Sequence, residues 1–316
     1  MLAFAVGAAG CGLAATGAAL SSRTLLMAAF VLIGAANGAI QLGRFAAAEA
    51  APPERRGKAM SIVITGATLG ALGGPLLAHA AEKAGAFAGW PDSLAPFLAL
   101  ALVYLAGFPA VLPALAGSLP PPTSRETVAP VAGEPFPRPL LLYAIGSMIF
   151  GQVAMVFLMA VTPVHMHQHH HSTGSISLVL TVHFLGMFGL SVLGGWLADR
   201  VGRVRAISLG SLLLIVSYGV GKLSVSVPGI LAALFLLGLG WNFVFLSGSV
   251  LLSDSLKGRN RGRIQGISDG AVAFGSAVAG LASGMLLGAL GYAGIAWVGL
   301  GLAAVPLLLL PLARRP

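Results

Sequence analysis

Residues 194–205 read Gly-Gly-Trp-Leu-Ala-Asp-Arg-Val-Gly-Arg-Val-Arg. This charged island stands out in a chain that is only 9% charged and 57% hydrophobic. Apolar blocks flank it, 174–198 before and 205–223 after, each close to the ~20 residues an α-helix needs to cross a bilayer core. The same alternation of apolar block and polar island runs through all 316 residues, and the mean hydropathy is +0.93. Soluble domains carry about 25% charged residues, so a water-soluble globular protein is excluded. A transmembrane β-barrel needs short alternating segments. These blocks are continuous and rich in Ala, Leu and Gly, so the predicted class is all-α and polytopic, each helix satisfying its own backbone hydrogen bonds in lipid.

Working outward from the island, ten spans are predicted: 2–20, 24–47, 59–83, 94–116, 139–163, 174–198, 205–223, 228–251, 264–290 and 292–312. Turn chemistry separates them, as at Ser21-Ser22-Arg23, Pro52-Pro53, Trp90-Pro91-Asp92 and Val227-Pro228. The longest connection, 117–138, holds Pro120, Pro121, Pro122, Pro130, Pro135 and Pro137 and is expected to be an extended cytoplasmic linker. It divides a partial N-terminal bundle, 1–116, from a six-helix bundle, 139–316. With Met1 in the cytoplasm, fifteen Lys and Arg face inward: Arg44, Arg55, Arg56, Lys58, Arg125, Arg138, Arg200, Arg203, Arg205, Lys257, Arg259, Arg261, Arg263, Arg314 and Arg315. Only Arg23, Lys83 and Lys222 face outward. That asymmetry is the positive-inside pattern. It places both termini in the cytoplasm of an inner or plasma membrane. It also accounts for the net charge of +9 through anionic headgroups, with no nucleic acid needed.

The chain repeats at an offset of 205 residues. Asn37 maps to Asn242, Gly43 to Gly248, Glu49 to Asp254, Arg56 to Arg261, Gly57 to Gly262, Lys58 to Arg263 and Gly70 to Gly275. Both copies run in the same direction, which makes this a parallel repeat about an axis along the membrane normal. Residues 139–205 have no upstream counterpart. Subtracting the offset puts the counterpart of the 195–205 island immediately before Met1, so a two-helix unit of about 70 residues, the length of 139–205, is expected to be missing upstream.

Gly-Gly-Trp-Leu-Ala-Asp-Arg-Val-Gly-Arg-Val-Arg resembles the G-x-L-A-D-R-x-G-R-[RK] signature of the major facilitator superfamily, where it joins the second and third helices of each six-helix half. The long central loop, the parallel half-repeat and the acidic…R-G-K and R-G-R loops are similar to that family as well. The resemblance covers the whole chain but only as helices three to twelve, a two-bundle architecture of four plus six helices. It implies that Gly195, Asp199, Arg200, Gly202 and Arg203 form a gating loop that latches the two halves on the cytoplasmic side. Gly195 and Gly202 are expected to supply tight turns, and Asp199 to reach the helix N-terminus near Lys58–Ser61, where backbone N–H groups and the helix dipole favour an anion. Glu49, Arg56, Asp254 and Arg261 are charge-relay candidates. Gly66, Gly70, Gly74 and Pro75 are similar to the family's antiporter motif, a small-residue stripe that lets helices approach closely, although Ala78 and His79 replace its final glycines. The family's membrane-embedded arginine has no match within 24–43.

Four polar residues within spans are candidates for cavity lining or ion coupling. Asn37 and Asn242 occupy equivalent helices. His183 lies mid-span, and Asp269 sits about 9 Å in from Arg263 at 1.5 Å per residue. Ionisable groups at such depths face cavities or proton routes. His165, His167, His169, His170 and His171 crowd an outer loop. Alternating histidines suit Zn or Cu, but with no carboxylate or cysteine beside them no metal site is assigned. Cys11, the sole cysteine, precludes an intrachain disulfide. The G-x-x-x-x-G-K-[ST] phosphate loop does not occur, and no nucleophile constellation lies within a span, so neither an ATP-driven pump nor an enzyme is expected, and no cofactor. The resemblance implies secondary transport of a small organic solute, by efflux in exchange for protons, carried out by a monomer. The alternatives are a transport-inactive truncated member of the family and a metal-ion transporter using the outer histidines.

Overall fold

The computed structural model describes residues 1–90, 94–117, 138–256 and 261–313. The linker 118–137 lies outside the described residues. Among them every element is helical: α1 (Leu2–Ala19), α2 (Arg23–Gln41), α3 (Gly43–Glu49), α4 (Arg56–Phe87), α5 (Leu94–Gly117), α6 (Arg138–Met159), α7 (Thr162–Gln168), α8 (Thr173–Phe184), α9 (Ser191–Val201), α10 (Arg203–Leu223), α11 (Val227–Ser255), α12 (Arg261–Leu308) and α13 (Leu310–Ala313). A single 3-10 turn, Pro53–Arg55, precedes α4, and a π turn, Leu185–Gly189, joins α8 to α9.

Among the described residues, eight segments are long and apolar enough to span a membrane, and Leu94–Gly107 is a shorter apolar helix. One of the eight, Arg261–Ala313, has 53 residues, about 80 Å of helix and twice what one crossing needs. It breaks at Gly291, whose φ of 64° and ψ of 178° only glycine adopts without strain. Two crossings therefore meet there, as the spacing predicts, and the all-α polytopic class holds.

The contacts gather into two units, 1–43 with 70–133 and 44–69 with 134–316. In the first, α1 packs on α2 and α5. Small residues set the approach. A side chain at Gly17 would lie 3.0 Å from the Leu26 backbone nitrogen, and one at Gly7 would run into the Tyr104 ring. Ser22 caps α2 by accepting from the Leu25 N–H at 3.4 Å.

In the second unit α11 is the core element. From Gly240 to Ser253 every residue is buried except Phe245. It crosses α10 where Gly210 and Gly240 let the two backbones touch, a Cβ on either falling 2.7–2.8 Å from the other's carbonyl oxygen. Against α6 it seats Val244 over Gly151 and receives Met148 at Gly248. Tyr218 fills the space at Gly299 and donates its hydroxyl to the Ala154 carbonyl at 2.5 Å.

Three boundaries differ from the sequence expectation. The span predicted over 24–47 is interrupted at Leu42, so Arg44 rides on the separate helix α3. The span predicted to end at 163 continues after Ala160-Val161 as α7, with Pro163 in its first turn, where a missing N–H costs nothing. The outer histidine run is therefore partly helical. The 195–205 island is not a loop. Residues through Val201 are helical and Gly202 alone, at φ 94°, turns the chain into α10. Gly195 lies within α9, so its missing side chain serves packing and not a turn.

Candidate functional site

Asp199, on the last turn of α9, places its carboxylate on the start of α4. Its Oδ1 accepts the Gly57 N–H at 3.0 Å and its Oδ2 the Lys58 N–H at 2.9 Å. These are two of the N–H groups that the first turn of any helix leaves without an intrahelical partner. The contact is possible because two glycines face each other. A Cβ on Gly57 would fall 2.6 Å from the Gly195 carbonyl oxygen, and one on Gly195 2.5 Å from that of Gly57. Arg203 ties the cluster together. It lies 3.4 Å from Asp199, donates Nε to Asp254 at 3.1 Å, Nη1 to the Ala198 carbonyl at 3.1 Å and Nη2 to the Pro53 carbonyl at 2.7 Å, a spread of donors that only a guanidinium offers. Arg200 instead lies over the Trp196 ring at 5.4 Å, and Arg205 is exposed.

Two ion pairs extend this cluster in a pattern that the repeat makes intelligible. Arg56 pairs with Asp254 at 2.6 Å and Arg261 with Glu49 at 2.8 Å. Glu49 and Asp254 are equivalent by the offset, as are Arg56 and Arg261. Each copy's acid thus holds the other copy's arginine, the reciprocity a two-fold relation imposes. Arg261 also donates to Ser253 Oγ at 2.6 Å. With Glu49 44% exposed, this pair contributes less than about 1 kcal/mol. Such contacts are cheap to break and set register more than stability.

Deeper in the unit is a pair the sequence expectation missed. Arg44, counted above among the cytoplasmic cations, is only 1% exposed and contacts Asp269 at 2.5 Å. It donates Nε to Ser249 Oγ, its own equivalent in the repeat, at 3.3 Å. Its guanidinium lies 4.4 Å from the Phe45 ring centre and 4.8 Å from that of Phe245. The signal was available: Arg44 falls inside the predicted 24–47 span, and an arginine within a span marks a functional site by default. On α12, Asp269 Oδ2, Ser268 Oγ and Gln265 Nε2 are buried with no partner among the described residues.

The remaining candidates separate. Asn242 is buried and donates Nδ2 to the Met187 carbonyl at 2.6 Å and to Ser191 Oγ at 2.7 Å. A π turn disturbs the regular ladder, and the amide bridges the one between α8 and α9. Asn37, its equivalent in the other unit, is exposed. His183 is fully buried and donates Nδ1–H to the Leu234 carbonyl at 2.8 Å, leaving Nε2 without a partner among the described residues. His165, expected in a solvated loop, is 7% exposed and stacks on Tyr292 at 3.8 Å with its edge to His169. Tyr292 follows the Gly291 break, which is why sequence spacing alone did not bring it to His165. His167, His169 and His170 are exposed, and His171 bonds the Val225 carbonyl at 2.8 Å. Among the described residues no group of three or more side chains is arranged to hold a metal. A Cβ at Gly66, Gly70 or Gly74 would meet no described atom within 4 Å, and Pro75 lies within α4.

The polar groups of the second unit thus form a charge cluster at the start of α4 and a pair of buried Arg44 with part-buried Asp269 beside aromatic rings. The chain matches the Major Facilitator Superfamily over residues 143–316. It is 31% identical over 312 residues to the uncharacterised MFS-type transporter YdeG of Bacillus subtilis, covering 93% of this chain and 70% of that protein. Over 321 residues it is 29% identical to the riboflavin transporter RfnT of Brucella anthropi, covering 100% of this chain and 79% of that one. Among solved structures it is similar to the human organic anion transporter MFSD10 (TETRAN), with a TM-score of 0.74 at 20% identity over 98% of this chain and 75% of that chain, a likeness of fold.

Proposed function

Because the chain belongs to the major facilitator superfamily, we propose that it exports a small organic solute across the cell's inner membrane in exchange for protons, by alternating access between bundles 1–116 and 139–316. Membrane transport of a small solute is the family's activity. Its members generally do no chemistry on what they carry. The observation that carries the finer reading is the reciprocal set of ion pairs, Glu49 with Arg261 and Asp254 with Arg56, joined through Arg203 to Asp199 on the α4 N-terminus. A lock must be specific in register yet weak enough to open on every cycle, and several part-exposed pairs meet both demands where one buried pair would not. Both termini face the cytoplasm in this reading, so the lock closes the cytoplasmic side, and the protein works as a monomer.

Asp269 is the coupling residue proposed. Its partner Arg44 is buried and its second oxygen has no partner among the described residues, so protonation dissolves the pair without removing any other contact of Oδ2. His183 is the second candidate, with one ring nitrogen already committed to the Leu234 carbonyl. The likeness to a riboflavin transporter makes riboflavin the first solute to assay. Purified protein reconstituted with a pH-sensitive dye inside the vesicles should show solute-dependent proton movement opposite in direction to the solute. Solute movement with no proton flux would remove the antiport reading and leave facilitated transport.

A further inference from the structure

We propose that the aromatic face of α11 is the stacking surface for a flat, neutral, fused-ring heteroaromatic solute, an inference that rests on the transport reading and assigns its substrate class. Phe245 is the one residue between Gly240 and Ser253 that is not buried. A large ring left half open in the middle of the most enclosed helix needs a reason. Trp241, one turn earlier, stacks on it with ring centres 4.9 Å apart and planes 12° apart. Phe188, from the π turn, sets its edge against Trp241 at 5.7 Å and 81°, and Phe184 lies parallel to Phe188 at 6.5 Å. Phe184, Phe188 and Phe245 are each part-exposed, with Trp241 buried against Phe188 and Phe245, so three elements contribute to one π surface. Such surfaces bind flat rings with little regard to their substituents, and each stacked ring contributes enough to be felt on its own.

Polar groups stand at both ends of this surface. At one end Trp241 donates its indole N–H to Gln152 Oε1 at 2.5 Å, and Gln152 donates in turn to Ser276 Oγ at 2.8 Å. The amide is half-buried and oriented from both sides, so it offers a fixed donor–acceptor edge. At the other end Arg44 lies against Phe245 and holds Asp269. Asp269 and Ser276 are seven residues apart on α12, about 10 Å along the helix, which suits a two- or three-ring fused system lying between them. A sugar or polyol would need many more hydroxyl partners than these. Because Arg44 is already matched by Asp269, the site carries no unbalanced charge, and a neutral ring system fits it better than an anion.

The test uses two neutral probes with the same imide edge, quinazoline-2,4-dione and its ring-saturated counterpart octahydroquinazoline-2,4-dione, measured by equilibrium dialysis against the purified full chain. The flat compound should bind about tenfold or more tighter. Phe245→Leu should remove that preference, and Phe245→Trp should keep it and show that the site tolerates substitution without unfolding. Gln152→Leu should weaken both compounds alike. Equal binding of the two probes by the unchanged protein, or an unaltered preference in Phe245→Leu, overturns the inference. Counterflow in vesicles separates it from the transport reading. Preferential binding with no counterflow of any solute would contradict transport alone, and counterflow of aliphatic solutes with no aromatic preference would contradict only the substrate class.

Discussion

Asp199→Asn removes a charge while keeping the shape and one acceptor. In the structure the carboxylate accepts two backbone N–H groups, at 3.0 and 2.9 Å, from the first turn of α4, and its side chain is 12% exposed. Hydrogen bonds to a charged group contribute about 1.5–3 kcal/mol against about 0.5–1.5 kcal/mol for neutral ones. Interaction with the helix dipole adds about 0.3–1 kcal/mol. An asparagine keeps one oxygen, so the second N–H loses its acceptor. Two charged bonds and the dipole, less one neutral bond, come to about 3–5 kcal/mol; water reaching the exposed Lys58 N–H offsets about half, which leaves about 1.5–3 kcal/mol, or roughly ten- to hundredfold in the closed-to-open equilibrium of this contact. Amide hydrogen exchange reads it directly. Protection at Gly57 and Lys58 should fall by about that factor in the variant, whereas amides in the middle of α11 should exchange as before. Unchanged protection at Gly57 and Lys58 would refute the reasoning, because it would mean the carboxylate is not what holds those groups.

Asn242→Leu keeps the branched shape but leaves the Met187 carbonyl and the Ser191 hydroxyl without the amide's donors, and should cost about 1–3 kcal/mol, seen as a lower detergent melting temperature. Gly195→Ala forces a methyl into the Gly57 carbonyl and should destabilise by about 1–3 kcal/mol, again by melting; Gly66→Ala, where a Cβ meets open space, should be near neutral. Arg44→Ala leaves the part-buried Asp269 without its cation and should reduce folded yield in membranes sharply. Arg44→Met with Asp269→Leu should recover the yield but move no protons with solute.

What the sequence made legible and what it hid divide along the repeat. Hydropathy and the charge alternation located the spans, since each helix has to be apolar along its own length. The pairing of Glu49 with Arg261 and of Asp254 with Arg56 was implicit in the offset, because a two-fold relation dictates reciprocal contacts. Arg44 and Asp269 were not matched to each other for the complementary reason. Their repeat equivalents are Ser249 and Ile64, so no symmetry announces a partner 225 residues away. The π turn that engages Asn242 leaves the apolar pattern of 174–198 unchanged and is invisible to hydropathy. Trp241 and Phe245 read as ordinary members of an apolar helix, and only the partial exposure of Phe245 within a buried run distinguishes the pair. His165 was placed in solvent because it belongs to a histidine run, and its stacking on Tyr292 depends on a tertiary contact.

The central claim is that the reciprocal ion pairs are a lock used in transport. Its most direct measurement is solute counterflow in vesicles for Glu49→Arg, Arg261→Glu and the two combined. Each single reversal places like charges together and should slow counterflow several-fold. The double reversal restores an opposite-charge pair at the same positions and should recover most of the rate. Equal rates in all four proteins, or a double variant no faster than the singles, would contradict the account.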